Sequence, residues 1–258
     1  MTNAANPNAA NPNDLRVTVI GCSGTYSSTE SACSSYLVQT ATTSVLLDAG
    51  PGSSLELQRQ IDLADIDAIV LSHEHPDHWT EMPSLYHAYR YGIEKPGLPV
   101  YGTAGTKVRL DASAPEATSG TFDWTTIDAS SAFTIGDLSF TFSETDHPVE
   151  TLAIRVESGG VAIAYSADTG PDWSPVAFDA PIDLMIYETT LPVSMEEMDI
   201  PHVSGRQAGE RATAAGIANL VLTHVPPGHE AELRADELRG TFAGTVEVAV
   251  PGVTFSPA

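Results

Sequence analysis

Positive charge is what this 258-residue chain has least of: 11 Lys and Arg stand against 34 Asp and Glu, for a formal net charge of −23. Binding along a phosphate backbone gains its affinity by releasing counterions to Lys and Arg, so an extended nucleic-acid partner is disfavoured. A small anion entering a site held by cations is not. The acidic excess otherwise reads as a solubility or salt-adaptation feature of the surface. Cysteine is scarce as well. Cys22 and Cys33 make no disulfide framework, and a reducing, cytoplasmic setting fits them better than an oxidising one. No apolar run approaches the roughly 20 residues that span a bilayer, so no membrane association is expected. The first thirteen residues repeat Ala-Ala-Asn-Pro-Asn and offer almost nothing to bury. Residues 1–13 are therefore expected to form a disordered tail and, with no basic start or apolar stretch, are not expected to be a secretory signal. The apolar content, 42% of the chain, suffices for one large domain over 14–258.

Histidine is concentrated in one place. Of eight in the chain, three lie within the six residues His73-Glu74-His75-Pro76-Asp77-His78. They follow the apolar run Ala68-Ile69-Val70-Leu71, which reads as a buried strand, so the cluster opens where that strand ends. His73 and His75 can turn two imidazoles toward one cation, while Asp77 and His78, one bend later, reach a second. Three further candidates also follow strand-like runs: His147 after Leu138–Phe142, Asp168 after Val161–Tyr165, and His224 after Leu220–Leu222. Ligands at strand ends are held rigidly, as a metal site requires. Singly, each has an ordinary explanation, a polar strand end or a turn. In this order the ordinary explanation weakens.

The pattern His-x-His-x-Asp-His, then His147, Asp168 and His224, resembles the metallo-β-lactamase superfamily from about Leu15 to the C-terminus. That resemblance implies two divalent metal ions, one on His73, His75 and His147, the other on Asp77, His78 and His224, with Asp168 bridging. Zinc is the default for a His-rich donor set, with manganese or iron as alternatives. Asp168 stands where the β-lactamase branch often has Cys, and His75 where the redox di-iron branch has a carboxylate. The segment Pro201-His202-Val203-Ser204-Gly205-Arg206-Gln207 resembles the additional His motif of the ribonuclease Z group of phosphodiesterases, with Glu188 in the place of its orienting Glu. Read without that resemblance, Ser204 to Gln207 has the form of a capping box, so His202 sits just before a helix N-terminus that favours an anion. Asp168 follows His147 by only 21 residues, which leaves no room for the protruding arm that grips transfer RNA. A branch frequent in actinobacteria and linked to cyclic-nucleotide degradation resembles the chain at Gly21–Gly24, at His147–Glu150 and at Ser166–Pro171.

The expected activity is hydrolysis of a small, cyclic phosphodiester such as 3′,5′-cyclic AMP, with Asp77, His202 and Glu188 as catalytic residues. The alternatives are a transfer-RNA 3′ endonuclease, a thioester, lactone or lactam hydrolase, and a non-catalytic metal-stabilised binding protein. A homodimer is compatible with all of them. Asp48 reads equally as an acceptor for a ligand histidine and as a turn residue. The turn Gly21–Thr25 reads either as a phosphate cradle or as a tight corner. Arg206 is expected to pair with Glu210, His87 to pack among tyrosines, and His229 to lie on the surface. Strands are expected at Leu15–Ile20, Ser35–Thr40, Ser44–Asp48 and Pro99–Tyr101, and helices at Ser53–Gln60, Glu81–Tyr91, Arg206–Gly216 and Glu230–Leu238. This mixture suits an α/β fold, an αββα sandwich of two mixed β-sheets flanked by helices, with the site at one edge.

Overall fold

Nearly every central strand of this chain carries apolar side chains on both faces, the condition for a sheet covered on two sides. The computed structural model of the protein describes residues 14–257. The tail expected over 1–13 lies outside the described residues. The first sheet holds β1 (Arg16–Ser23), β2 (Ala32–Cys33), β3 (Ser35–Gln39), β4 (Ser44–Leu47), β5 (Ala68–Val70), β6 (Leu98–Gly102) and β7 (Phe122–Thr126). Its pairings are antiparallel from β1 through β3 to β4 and parallel from β4 to β7. The second sheet repeats that plan. Strands β8 (Ala132–Ile135), β9 (Leu138–Glu144), β10 (Leu152–Ser158) and β11 (Val161–Tyr165) run antiparallel. Parallel pairing then joins β11 to β12 (Leu184–Glu188), β13 (Asn219–Thr223) and β14 (Thr245–Val248). A short β15 (Thr254–Phe255) returns to the edge of the first sheet beside β1.

Period-two alternation sorts the side chains into three layers. Tyr36, Val38, Val45, Leu47 and Val70 of the first sheet meet Ile154, Ile163, Tyr165, Ile186 and Val221 of the second in the central core. Their strand neighbours point outward: Leu37, Leu46 and Ile69 pack under α1 (Ser53–Gln60), α2 (Pro76–Trp79), α3 (Met82–His87) and α4 (Ala104–Ser113). On the far side Met185, Leu220 and Leu222 pack under α5 (Gly205–Ala214) and α6 (Ala231–Arg239). Each such aliphatic side chain, fully removed from water, contributes about 1.5–3 kcal/mol. The result is the expected αββα sandwich. No helix among the described residues is long and apolar enough to cross a membrane.

Two expectations are corrected. The helix expected over Glu81–Tyr91 is α3 only to His87. Residues Ala88–Ile93 then wind in a wider π-type turn that Glu94 ends with a left-handed φ of 55°. The opening strand runs on past Ile20 to Ser23, because β2 and β3 both pair with its C-terminal part.

Candidate metal centre and active site

The C-terminal ends of β5, β11, β12 and β13 converge with the end of β9 at one edge between the two sheets, and the candidate residues follow those ends directly. His75 caps the one-turn helix α2, whose first residue is Pro76, and that turn carries Asp77 and His78 inward. Asp168 comes three residues after β11, Glu188 is the last residue of β12, and His224 follows β13 at once. Left-handed backbone recurs here at non-glycine residues, with φ of 54° at Asp48, 51° at Ala167 and 61° at His224. Such conformations cost about 1–2 kcal/mol each and persist only where packing over-determines them. Gly24 is needed at this edge: a Cβ there would come within 2.6 Å of the His224 carbonyl oxygen and 2.9 Å of its Nδ1. The same turn offers no phosphate cradle. The Cys22, Gly24 and Thr25 amides already donate to Ser31 Oγ, Val225 O and Asp77 Oδ2 at 3.0, 3.3 and 2.7 Å.

Two groups of donors form around Asp168. His73, His75, His147 and Asp168 bring their donor atoms together on one side, and Asp77, His78 and His224 do so on the other. On the first side His147 Nε2 faces His75 Nδ1 at 3.0 Å, and Asp168 Oδ2 lies 3.6 Å from His73 Nε2 and 3.9 Å from His147 Nε2. On the second, His78 Nε2 and His224 Nε2 are 3.2 Å apart, with Asp77 Oδ2 3.3 Å from the latter. Asp168 Oδ1 sits 3.1 and 3.3 Å from those two nitrogens. One carboxylate thus presents an oxygen to each group, the disposition that a bridging ligand needs.

Partners behind the ring fix which nitrogen of each imidazole faces inward. Asp48, fully buried, takes four donors: the Ser72 amide at Oδ1, and Ser72 Oγ, Tyr165 Oη and His78 Nδ1 at Oδ2, the last at 2.7 Å. Since the Ser72 hydroxyl donates to Asp48, it accepts from His73 Nδ1 at 2.9 Å. His147 Nδ1 donates to the Pro201 carbonyl at 3.2 Å. His73, His78 and His147 therefore turn bare Nε2 lone pairs toward the carboxylate oxygens, and lone pairs at these distances repel unless a cation lies between them. Among the described residues neither His73 Nε2 nor Asp168 Oδ1, both buried, has a hydrogen-bond partner. Each such orphan costs about 1–3 kcal/mol, which a shared cation removes. Seven imidazole and carboxylate donors in this arrangement fit two divalent cations well. Protons can stand in for them. Burial opposes charge on His78, but Asp168, Asp48 and Asp77 outweigh it and hold the imidazole well above its usual range. Burial, with His78 adding to it, drives His73 well below. Burial likewise opposes charge on Asp168, yet His224 and His78 hold its carboxyl well below the carboxylate range.

Asp48 is accordingly an acceptor for His78 rather than a turn residue alone. Asp48→Ala is expected to lower metal affinity by about 10–100-fold, as is typical when such a partner is lost. Chelator competition on the folded variant measures this; unchanged affinity would return Asp48 to a turn role.

His202 stands at the rim, half-buried, with Nδ1 2.9 Å from Glu188 Oε1. Its ring stacks on His224 at 5.6 Å and meets His147 edge-on at 5.5 Å; with Nδ1 taken by Glu188, Nε2 is the nitrogen left for a ligand. Burial pulls the His202 imidazole down, but the charge and hydrogen bond of Glu188 outweigh it and hold it up at about 9. The segment from Leu191 to Val203 that delivers it is pinned at several points. Leu191 bridges to Ser204, the Val193 amide donates to Glu237 Oε1 at 3.1 Å, and Ser204 and Arg206 both grip the Glu196 carboxylate. The capping box of Ser204 and Gln207 opens α5 as expected. Arg206 pairs with Glu210 and with Glu196, which leaves it no free role toward phosphate. His87 and His229 are exposed; His87 lies between Tyr86 and Tyr91 and donates from Nδ1 to the Pro83 carbonyl. Ser72, Tyr165, Thr190 and the Pro201 carbonyl were not legible as site groups. Their one signal is adjacency, Ser72 before His73, Pro201 before His202 and Thr190 two residues after Glu188.

Residues 43–225 match the family model described as the beta-lactamase superfamily domain. The chain is 33% identical over 251 residues to the uncharacterized protein Rv1339 of Mycobacterium tuberculosis, covering 93% of this chain and 92% of that one. It is 30% identical to the probable metallo-hydrolase YhfI of Bacillus subtilis, covering 92% and 98% of the two chains. The YhfI crystal structure superposes with a TM-score of 0.86 over 93% of this chain and 98% of that one, at 28% identity. A ribonuclease Z of Mycobacterium bovis is 28% identical over 91% of this chain and 95% of its own. The converging donors, the two-sheet sandwich and these matches together establish that the chain belongs to the metallo-β-lactamase superfamily, as a metal-dependent hydrolase of that fold.

Proposed function

We propose that the protein is a dinuclear metal phosphodiesterase that hydrolyses a small, cyclic nucleotide phosphodiester such as 3′,5′-cyclic AMP. The observation that carries this reading is the His202–Glu188 pair, 2.9 Å apart, set beside the two donor groups with the imidazole edge free. A phosphodiester with an alkoxide leaving group needs both positive charge at phosphorus and a proton for the departing oxygen.

His73, His75 and His147 would hold one cation, Asp77, His78 and His224 the other, with Asp168 shared. Zinc suits these donors best, and manganese or iron are the other candidates. Once bound, such a pair supplies charge neutralisation for phosphoryl oxygens and a water activated near neutral pH. The chain's own residues do the rest. Asp77, whose Oδ2 accepts from the Thr25 amide and lies 3.3 Å from His224 Nε2, is the carboxylate that would orient the attacking water. His202 donates its Nε2 proton to the ribose 3′-oxygen as the P–O3′ bond breaks, and Glu188 holds the imidazole in position. One water is consumed and a nucleoside 5′-monophosphate leaves.

Small substrates are favoured by what lies between His147 and Asp168. That interval is filled by the tight hairpin of β10 and β11, which turns at Gly159-Gly160 with no protruding arm. The net charge of −23 argues the same way. Free Cys22 and Cys33 are in keeping with a cytoplasmic setting. The ribonuclease Z relative keeps transfer-RNA processing as the second reading. The metal-loaded protein should be assayed against 3′,5′-cyclic AMP, precursor transfer RNA, a lactam and a thioester. Turnover of the cyclic nucleotide with little cutting of precursor transfer RNA is expected. Preference for the RNA, or for an acyl substrate, would reject the proposal.

A further inference from the structure

Glu188 is more than a partner for His202. Wholly buried, it receives four donors and offers an oxygen to each of two systems. Oε1 accepts from His202 Nδ1 at 2.9 Å and from the Thr169 amide at 2.7 Å. Oε2 accepts from Thr190 Oγ1 at 2.7 Å and from the Thr190 amide at 3.3 Å. The Thr190 hydroxyl has a single proton. A carboxylate at 2.7 Å takes it in preference to the His224 carbonyl at 3.1 Å, because an ionised acceptor makes the stronger bond. Thr190 Oγ1 must then accept from His224 Nδ1, 2.8 Å away. That assignment leaves the proton of His224 on Nδ1 and aims a bare Nε2 at Asp77 and Asp168. The arrangement at Asp48 is the same in kind: one imidazole, His78, bonded directly, and a second, His73, reached through the Ser72 hydroxyl.

We infer that Thr190 is a positioning residue that links the Glu188 carboxylate to His224, so that one buried acid orients both the proposed leaving-group histidine and a proposed metal ligand. This rests on the proposed roles of His202 and His224. It makes two consequences inseparable: disturbing Glu188 weakens metal binding as well as proton delivery, and Thr190 acts on metal binding without touching substrate.

The test compares Thr190→Val, which keeps the shape and removes the hydroxyl, with Thr190→Ser, which keeps the hydroxyl. Zinc affinity is read by chelator competition and by the stoichiometry retained after dialysis. Thr190→Val is expected to lose about 10–100-fold in affinity at one of two sites, the usual cost of losing such a partner. Thr190→Ser should recover to within about threefold, and Glu188→Gln should also weaken that site. The double variant Thr190→Val/Glu188→Gln should lose no more than the worse single, since both cut one chain of bonds. Wild-type affinity in Thr190→Val, or equal losses in Val and Ser, would overturn the inference; the Ser variant also guards against a Val variant that misfolds. Turnover of cyclic AMP by the wild type is recorded in parallel. If it is nil while the affinities follow this pattern, the substrate assignment fails and the Thr190 link stands. If turnover is present and the affinities do not move, the reverse holds.

Discussion

Asp168→Ala is expected to retain fewer than two metal ions and to lose hydrolysis by about 10³-fold or more. Asp168 alone among the candidate ligands has one oxygen, Oδ2, on the His73 and His147 side and the other, Oδ1, on the His78 and His224 side. Removing it weakens both positions at once. The charge stabilisation that a metal pair supplies to a phosphoryl transition state is several kcal/mol, and about 4 kcal/mol corresponds to that factor. The fold should survive, because the sandwich rests on the three apolar layers and not on this carboxylate. Elemental analysis after gel filtration, with activity on the same sample, checks both halves. Two tightly bound ions in the variant would remove Asp168 from its shared position.

His202→Ala separates phosphodiester chemistry from acyl transfer. The variant should keep both metals and bind substrate, yet lose the roughly 10²–10⁴-fold typical of general acid–base help. The loss should be smaller on bis-p-nitrophenyl phosphate, since p-nitrophenolate departs without a proton, than on a cyclic nucleotide whose ribose oxygen needs one. With metal kept saturating, so that its weaker metal site is filled, Glu188→Gln should move the same way by a lesser amount, because it orients the imidazole 2.9 Å away and does not reach the substrate. Equal losses on both substrates would assign His202 to phosphate binding instead. No loss on either would leave the pair without a catalytic part.

The residues now found together were mostly legible because the chain orders them. His73, His75, Asp77 and His78 are close together, His147 follows a strand whose alternation is plain, and Asp168 and His224 each follow a short apolar run, so strand ends gave their depth in the fold. Helix α1 was equally readable, since Gly50-Pro51-Gly52 precedes it. Helix α4 was not: only Thr106 and Leu110 of its residues are buried, too thin a stripe to stand out in a polar sequence. The change from α3 to a π-type turn at Ala88 has no local signal either, since Tyr86, Tyr89 and Phe122 set it through tertiary packing. Around the site, what escaped was everything held by hydroxyls. Ser72 and Thr190 matter only because a carboxylate and an imidazole flank them from distant segments, and no spacing along the chain encodes that. The clamp of Glu196 by Ser204 and Arg206 escaped for the same reason.

The most direct test is to hydrolyse 3′,5′-cyclic AMP with the metal-loaded protein in ¹⁸O-labelled water and follow the product by mass spectrometry. The account predicts a nucleoside 5′-monophosphate carrying one ¹⁸O on phosphorus, its formation abolished by a chelator and restored by added metal. An untouched cyclic nucleotide under conditions where a lactam or thioester is hydrolysed, or a cleaved product without label on phosphorus, would contradict it.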